Sequence, residues 1–320
     1  MKKICYGISI TAILLFLFLY PSQALTASRT GLHLWFDTLL PTLLPFMILS
    51  GILIRADLVR PLVAILSPFF QKTLMLSPGG TYALFMGFLC GCPMGAKTVS
   101  DLLARGQLTL PEAQYLLGFC NNISPSFIIT FLVTEQLGRP ALMLPSLVIL
   151  YGSPLFYGIL TNPSYRRACS GQATSLPEEV KPLKEPLCFG MVDVCILDGV
   201  ITIVRVGGYI MLFALLAGVL QVLPIPLKGK ALLTAMAEIT NGIPALIKAF
   251  PYPASFLLLM CLTAFGGLSA IAQTDSVLQK ADGKTSSGNM KNAHLSLWKY
   301  VRSKLIISAL ALFLSLCFLS

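Results

Sequence analysis

The strongest constraint on the fold of this chain is a break within an apolar segment at residues 87–98, GFLCGCPMGAKT. Gly91, Pro93 and Gly95 interrupt what would otherwise be a helix at membrane depth, and Lys97 follows them. Proline removes a backbone donor and clashes with the preceding turn, and hydrocarbon offers no water to the backbone groups that are freed. We therefore expect this break to be packed in protein or to line a water-filled cavity.

A second interruption lies at residues 119–126, FCNNISPS. It brings the amides of Asn121 and Asn122 and the hydroxyl of Ser124 next to Pro125, between apolar flanks. Amides and hydroxyls both donate and accept hydrogen bonds, as a sugar or a nucleobase requires. We interpret the two breaks, together with two more in the C-terminal half, as the functional centre.

Composition places the chain in a membrane. Of its 320 residues, 56% are hydrophobic and 11% are charged, far below the roughly 25% charge of soluble domains. The net charge is +10, but the lysines and arginines are scattered at the ends of apolar segments. That distribution favours contact with anionic lipid and argues against nucleic-acid binding. The sequence predicts an all-α, polytopic membrane protein, and Lys2 and Lys3 place its N-terminus in the cytoplasm.

Motifs of metal sites and enzymes are absent from the sequence. The nine cysteines show no close metal pattern, and the two histidines, His33 and His294, have no partner histidine nearby. The chain contains no H-E-x-x-H, Walker A or G-x-S-x-G sequence. We therefore expect no enzyme activity, no metal and no cofactor.

Local patterns around the first two breaks predict particular helices. Residues 81–105 are expected to form a helical hairpin that enters the bilayer and returns. Thr109 is the expected N-cap of the next helix, with Pro111 and Glu112 in its first turn. That helix is predicted to run to Phe119.

The apolar segments and a polar stretch divide the chain into four regions. The polar stretch has the proline and charge content of a linker. The predicted regions are an N-terminal transmembrane helix or signal anchor (1–24), a first repeat with its connecting span at 141–160 (25–160), a cytoplasmic linker (161–198), and a second repeat (199–320) with a basic cytoplasmic segment at 279–303 and a last span at 305–319.

Two polar breaks in the C-terminal half correspond to those in the N-terminal half. They lie at residues 238–244, EITNGIP, and at residues 266–274, GGLSAIAQT. Asn241 follows Gly91, and Gly266 follows Asn121, by about 150 residues, as expected of paired repeats in transporters. Chance similarity between two apolar halves is the alternative to a true duplication.

These motifs resemble a known family. Residues 91–97 (G-x-P-x-G-A-K), together with Gly106, Glu112-Ala113 and residues 119–128, are similar to the nucleoside-recognition, or Gate, domain of bacterial membrane proteins, and the layout resembles the sporulation integral membrane proteins of the YlbJ type. Residues 238–242 (E-x-T-x-G) and 265–273 resemble that family's downstream motifs. The resemblance covers most of residues 31–319. It implies a transporter-like core in the bacterial plasma membrane and a role in making the spore envelope or cortex.

Four breaks that meet near the bilayer midplane would direct half-helix ends at one cavity, with partial charges of about half a unit at each end. Such a cavity binds a small polar solute without a metal. Glu238 is the expected acceptor of a coupling proton, with Lys97 or Arg205 as its partner. The residues expected to line the cavity all lie at the breaks: Gly91, Pro93, Gly95, Asn121, Asn122, Ser124, Pro125, Glu238, Thr240, Asn241, Gly242, Gly266, Gly267, Ser269, Gln273 and Thr274.

Structural roles stay open for the same residues. Gly266 and Gly267 are suited to close helix packing, and Asn121 and Asn122 to hydrogen bonds between helices. Two functions therefore remain. The first is a carrier in which one repeat rocks against the other, and the second is a membrane scaffold that recruits envelope proteins through the linker. A second copy of the chain or other envelope membrane proteins are the expected protein partners.

Overall fold

The computed structural model describes residues 2–56, 58, 60–169, 188–282 and 295–320, which contain helices and no strand. The predicted all-α class of a membrane protein is confirmed. The helices are α1 (Lys2–Leu19), α2 (Pro21–His33), α3 (Leu40–Arg55), α4 (Arg60–Leu74), α5 (Pro78–Cys90), α6 (Met94–Ala104), α7 (Leu110–Cys120), α8 (Met143–Cys169), α9 (Phe189–Val222), α10 (Leu227–Ala237), α11 (Ile239–Ala249), α12 (Ala254–Phe265), α13 (Gly267–Asp282) and α14 (Leu297–Leu319), with π-helical segments at Leu34–Leu39 and Phe127–Leu137.

Four stretches are long and apolar enough to cross a membrane, judged by length and composition: Pro140–Arg167, Phe189–Val222, Ala254–Leu278 and Leu297–Leu319. The number rises to six if two bent pairs of helices each count as one span. In the first pair, the chain bends by 116° between α1 and α2. In the second pair, it bends by 102° between α4 and α5. The chain is therefore a multi-pass membrane protein.

The predicted span at 141–160 lies within the helical stretch Pro140–Arg167, most of which is α8, but the prediction for the last span is wrong at its start. The final helix begins at Leu297 and not at residue 305, and Tyr300, Ser303 and Lys304 are buried in it. The linker predicted at 161–198 is helical at both ends, because α8 continues to Cys169 and α9 begins at Phe189. Its central part, residues 170–187, lies outside the described residues.

Two helical hairpins are each formed by two short helices. Hairpin 1 consists of α5 and α6, which pack against each other, and hairpin 2 consists of α10 and α11, which do the same. The arms α6, α10 and α11 have 11 residues each, a length of about 16 Å that reaches roughly halfway through a hydrocarbon core of about 30 Å. The helical hairpin predicted at residues 81–105 is confirmed, and its entry into the bilayer and return stay a prediction.

Each hairpin is followed by a broken helix. The first consists of α7 and the π-helical segment Phe127–Leu137, separated by residues 121–126. The Thr109 hydroxyl accepts a hydrogen bond from the Glu112 amide, so the predicted N-cap of α7 is confirmed. The second broken helix consists of α12 and α13, which separate at Gly266 (φ +85°). Positive φ is a conformation that glycine adopts without strain.

The long helices α8 and α14 pack against each other at the centre of the fold. Helix α7 packs against both of them, and α6 packs against α13. The order of hairpin, broken helix and long helix therefore occurs in each half. The two halves are in contact at α8 with α14, α7 with α14 and α6 with α13, and also where α9 packs against α2 and α3. Duplication of one ancestral repeat stays a prediction.

Candidate functional site

Glycines allow the first two breaks to lie against each other. Helix α5 ends at Cys90, and Gly91 follows with φ +78°. A Cβ atom on Gly91 would lie 2.7 Å from the Ser124 amide nitrogen, which is too close for any other residue. The predicted site residues Gly91 and Ser124 are therefore neighbours.

The end of α7 lies against both arms of hairpin 1. A Cβ atom on Gly87 would overlap the carbonyl oxygen of Cys120 and lie 2.9 Å from its carbonyl carbon, and one on Gly95 would lie 2.8 Å from that oxygen. Pro93 precedes the first residue of α6. The small residues at this break thus allow the α7 backbone to approach closely.

Asn121 connects three helices through its amide. Its side chain is 1% exposed, and its Oδ1 accepts a hydrogen bond from the Ala96 amide in the first turn of α6 (3.3 Å). Its Nδ2 donates to the Thr274 hydroxyl on α13 (2.9 Å) and to the Tyr300 hydroxyl on α14 (3.1 Å). The second break is therefore bonded to both halves of the chain.

Asn122 contacts a buried lysine. Its Nδ2 donates to the Phe119 carbonyl (2.7 Å), and its Oδ1 accepts from Lys304 Nζ (3.1 Å). Lys304 is 4% exposed and lies 5.8 Å from the centre of the Tyr300 ring. We call Asn121, Asn122, Thr274, Tyr300 and Lys304 the polar cluster.

Side chains also satisfy backbone groups that the breaks set free. The Ser124 hydroxyl accepts from the Phe127 amide (3.3 Å), and Pro125 occupies the first turn that follows. The Tyr151 hydroxyl on α8 lies 2.9 Å from the Ile123 carbonyl oxygen and 3.3 Å from the Phe88 carbonyl oxygen. An unpaired backbone group in hydrocarbon costs several kcal/mol, so these bonds make the breaks tolerable at membrane depth.

Glu238 caps the second arm of hairpin 2. Its carboxylate accepts from the Thr240 amide (2.9 Å) and from the amide and side-chain nitrogens of Asn241 (2.7 and 2.9 Å). Lys97 and Arg205 are both exposed, and neither makes an ion pair with Glu238 in the described part of the chain. In this structure the N-terminus of α11, rather than Lys97 or Arg205, supplies the positive end that faces the carboxylate, and the role of Glu238 in coupling stays a prediction.

The remaining second-half residues lie close to the same break. A Cβ atom on Gly267 would lie 3.2 Å from the Ala237 carbonyl oxygen, and one on Gly242 would lie 2.8 Å from the Ala235 amide nitrogen. The Gln273 side chain donates to the Ser269 hydroxyl (3.1 Å). The four breaks thus meet as two pairs, Gly91 with Ser124 and Ala237–Glu238 with Gly266–Gly267. Helix α13 connects the pairs, because it begins at one of them and carries Thr274 to the other.

Sequence reasoning missed three residues of the site: Tyr151, Tyr300 and Lys304. A usable signal for the last two is the polar and small residues at helical spacing in α14, all of them buried: Tyr300, Ser303, Lys304, Ser308, Ala311 and Ser315. Such a stripe on an otherwise apolar helix marks the side that faces protein. Tyr151 carries no comparable signal, because its partners are backbone carbonyls.

Among the described residues, no group of three or more histidine, cysteine, aspartate and glutamate side chains lies close enough to hold a metal ion. Cys92 belongs to the edge of the polar cluster instead, since its sulfur lies 3.6 Å from Asn121 Nδ2. The arrangement offers amide, hydroxyl and ammonium groups, which suit hydrogen bonding to a solute.

Comparison with known proteins gives one relative. The chain is 28% identical over 307 residues to the sporulation integral membrane protein YlbJ of Bacillus subtilis (strain 168), and the alignment covers 82% of this chain and 72% of the relative. No family model matches the chain, and no solved structure matches it. The similarity supports a relationship of this chain to the YlbJ-type family. The relative is an integral membrane protein, in agreement with the helices of this chain that are long and apolar enough to cross a membrane.

Proposed function

We propose that this chain is a YlbJ-type membrane protein with a Gate-like core that binds a small polar anion and carries it across the plasma membrane during spore formation. The observation that carries the proposal is the polar cluster. Five polar side chains from two broken helices and α14 are buried together inside a largely apolar helical protein. Polar groups inside a membrane protein are costly to bury and commonly mark a transport pathway.

Lys304 is the reason for assigning negative charge to the solute. Its ammonium group has three donors and, among the described residues, makes one hydrogen bond, to Asn122 Oδ1. In the described part of the chain no carboxylate lies within ion-pair distance of it. A buried charge is stable only when it is paired, and a carboxylate or phosphate group of a solute supplies the missing partner.

The surrounding groups suit the rest of such a solute. The Asn121 amide bonds to Thr274 and Tyr300 in the structure, so the cluster is closed on itself. A solute that enters the cluster replaces these hydrogen bonds by hydrogen bonds to itself. Because these bonds connect the two halves of the chain, the halves then separate at this point. Broken helices arranged in this way are the usual substrate sites of transporters with internal repeats.

The proposed role in spore formation comes from the relative. The Bacillus subtilis protein is named for sporulation, and the similarity extends over most of both chains. The resemblance of the breaks to Gate motifs adds a transporter-like core to that role. A function in the spore envelope or cortex is consistent with delivery of a solute during spore assembly.

Uptake by proteoliposomes tests the proposal, with phthalate as an anionic probe and uridine and glucose as neutral probes. We expect saturable uptake of phthalate and a loss of at least tenfold in Asn121→Ala. Asn162→Ala is the matched control, because Asn162 is also buried in the fold but bonds to the Tyr115 hydroxyl, away from the cluster. Folding of each variant is checked by gel filtration and thermal unfolding.

The competing function is a scaffold that transports nothing. It predicts no uptake of any probe, and normal sporulation in a strain that carries Asn121→Ala. Deleting residues 170–185 separates the two functions in the opposite sense, because a scaffold loses its docking segment and a carrier keeps its site. Loss of sporulation in the deletion strain, together with no uptake of any probe by the unmodified protein, would favour the scaffold.

A further inference from the structure

We infer that hairpin 2 is the moving gate of this protein and that hairpin 1 is fixed. The inference rests on the proposed function, because a gate has meaning only in a protein that admits a solute. It comes from a difference in how the two hairpins are bonded to the rest of the molecule.

Hairpin 1 is bonded to its neighbours at its base and near its tip. At the base, the Ser77 amide, next to the first residue of α5, donates to Glu112 Oε1 on α7 (2.7 Å). Near the tip, the Ala96 amide donates to Asn121 Oδ1, and the Tyr151 hydroxyl lies 3.3 Å from the Phe88 carbonyl oxygen. These contacts bond both arms to α7 or α8.

The backbone of α7 also locks hairpin 1 in place. Gly87 and Gly95 lie on opposite arms, and the Cys120 carbonyl group is seated against both of them. An arm cannot slide along α7 without driving backbone atoms into each other. Hairpin 1 therefore moves only together with α7 and α8.

The polar groups of hairpin 2 that form hydrogen bonds in the described part of the chain form them either within the hairpin or to α9. The Glu238 carboxylate bonds within the hairpin. Among the described residues, the hydrogen bonds that leave hairpin 2 run from Asn241 Nδ2 to the Ile210 carbonyl (3.3 Å) and from Lys230 Nζ to the Gln221 carbonyl (2.6 Å). Both acceptors belong to α9, so hairpin 2 and α9 form one bonded unit.

Apart from the Ala237–Glu238 backbone, which lies against Gly267, the contact of hairpin 2 with α12 and α13 is apolar. Ile243 and Leu246 are fully buried, and α11 packs against α12 while α10 packs against α13. In the described part of the chain hairpin 2 makes no hydrogen bond to α12, α13 or α14. Apolar packing is not directional, so this surface can slide where hydrogen bonds would resist. Helix α10 packs against α13, and α13 carries Thr274, so movement of hairpin 2 removes part of the packing that holds this side of the polar cluster.

Hydrogen exchange of the full chain in lipid nanodiscs, without any solute, tests the inference. Helices α6 and α11 are matched, since each is the second arm of a hairpin and has 11 residues. Exchange of backbone amides reports local opening. We expect the amides of α11 to exchange at least tenfold faster than those of α6.

Two tyrosine variants test whether hairpin 1 is held as described. Tyr151→Phe keeps the ring and removes the hydroxyl, so we expect exchange in α6 to rise several-fold. Tyr115→Phe is the control, because its hydroxyl also bonds to a backbone carbonyl, that of Gly158 (2.7 Å), but not to either hairpin. It should leave exchange in α6 unchanged.

Equal exchange in α6 and α11, or faster exchange in α6, would overturn the assignment of the gate. An unchanged α6 in Tyr151→Phe would overturn the fixed role of hairpin 1. If that variant does not fold, the comparison within the unmodified chain still decides the first point. Because no solute is present, a failure here leaves the proposed transport function to its own test.

Discussion

Replacing Lys304 by methionine separates binding from stability at the proposed site. The methionine side chain has a similar length and fills the same space without charge. In the native protein Lys304 is 4% exposed, and its ammonium group uses one of its three donors within the described part of the chain. The variant therefore removes a buried charge. No carboxylate among the described residues pairs with this charge.

The effect on stability has two opposing parts. Losing the bond to Asn122 Oδ1 leaves a buried acceptor without this donor, at a cost of about 1–3 kcal/mol. Removing the buried charge relieves a desolvation penalty of several kcal/mol, and apolar replacement of buried ions is often neutral or stabilising by about 1–4 kcal/mol. We expect Lys304→Met to be as stable as the native protein or more stable, with a melting temperature unchanged or raised by a few degrees.

The effect on binding goes in the opposite direction. Loss of a buried partner for an anionic group costs about 2 kcal/mol or more, which corresponds to a decrease in phthalate affinity of about 30-fold. Thermal unfolding and equilibrium binding in detergent measure both quantities on one sample. Lys299→Met is the control, because Lys299 lies one turn earlier on α14 and is exposed, and it should change neither quantity.

A clear drop in melting temperature with unchanged phthalate binding would refute this reasoning. It would show that Lys304 stabilises the fold through Asn122 and does not recognise a solute. A gain in stability with a loss of binding is the pattern expected of a residue retained for function.

Two further predictions concern packing and hydrogen bonding. Gly87→Ala should lower the melting temperature by about 5 °C, because its methyl group overlaps backbone atoms of α7 and overpacking costs about 1–3 kcal/mol or more; Gly152→Ala, in a helix interior with nothing within 4 Å, should be neutral or slightly stabilising, and equal effects would contradict the close approach. Thr274→Val should destabilise by about 1–3 kcal/mol because it removes the acceptor of a buried amide. Thr263→Val should be neutral or stabilising, because the Thr263 hydroxyl is buried without a hydrogen-bond partner among the described residues. Chemical unfolding measures both variants, and a larger loss of unfolding free energy in Thr263→Val than in Thr274→Val would contradict this prediction.

The breaks were predictable because their signals are local. Glycine and proline within an apolar run predict a helix end whatever surrounds it, and the cap at Thr109 depends on its own sequence neighbours. For the same reason the hairpin at 81–105 and the separation of α12 from α13 follow from the sequence. These local features fixed where the half-helices end.

The partners of the breaks were not predictable, because they come from distant parts of the chain. Tyr300 and Lys304 lie about 180 residues after the asparagines that they contact. Lys304 directly follows the basic cytoplasmic segment predicted at 279–303, and a lysine beside an apolar run usually marks the membrane edge rather than a buried site. Glu238 was assigned a cationic partner, whereas its local helix terminus supplies three donors.

Alkylation of Cys92 by N-ethylmaleimide, followed by peptide mass spectrometry, tests most directly whether solute occupies the polar cluster. Cys92 is half-buried beside Asn121, and Cys188, at the start of α9, is exposed and serves as the internal control. The account predicts that phthalate slows alkylation of Cys92 several-fold and leaves Cys188 unchanged. If phthalate binds saturably while Cys92 reacts at the same rate with and without it, the solute lies elsewhere and the account is contradicted.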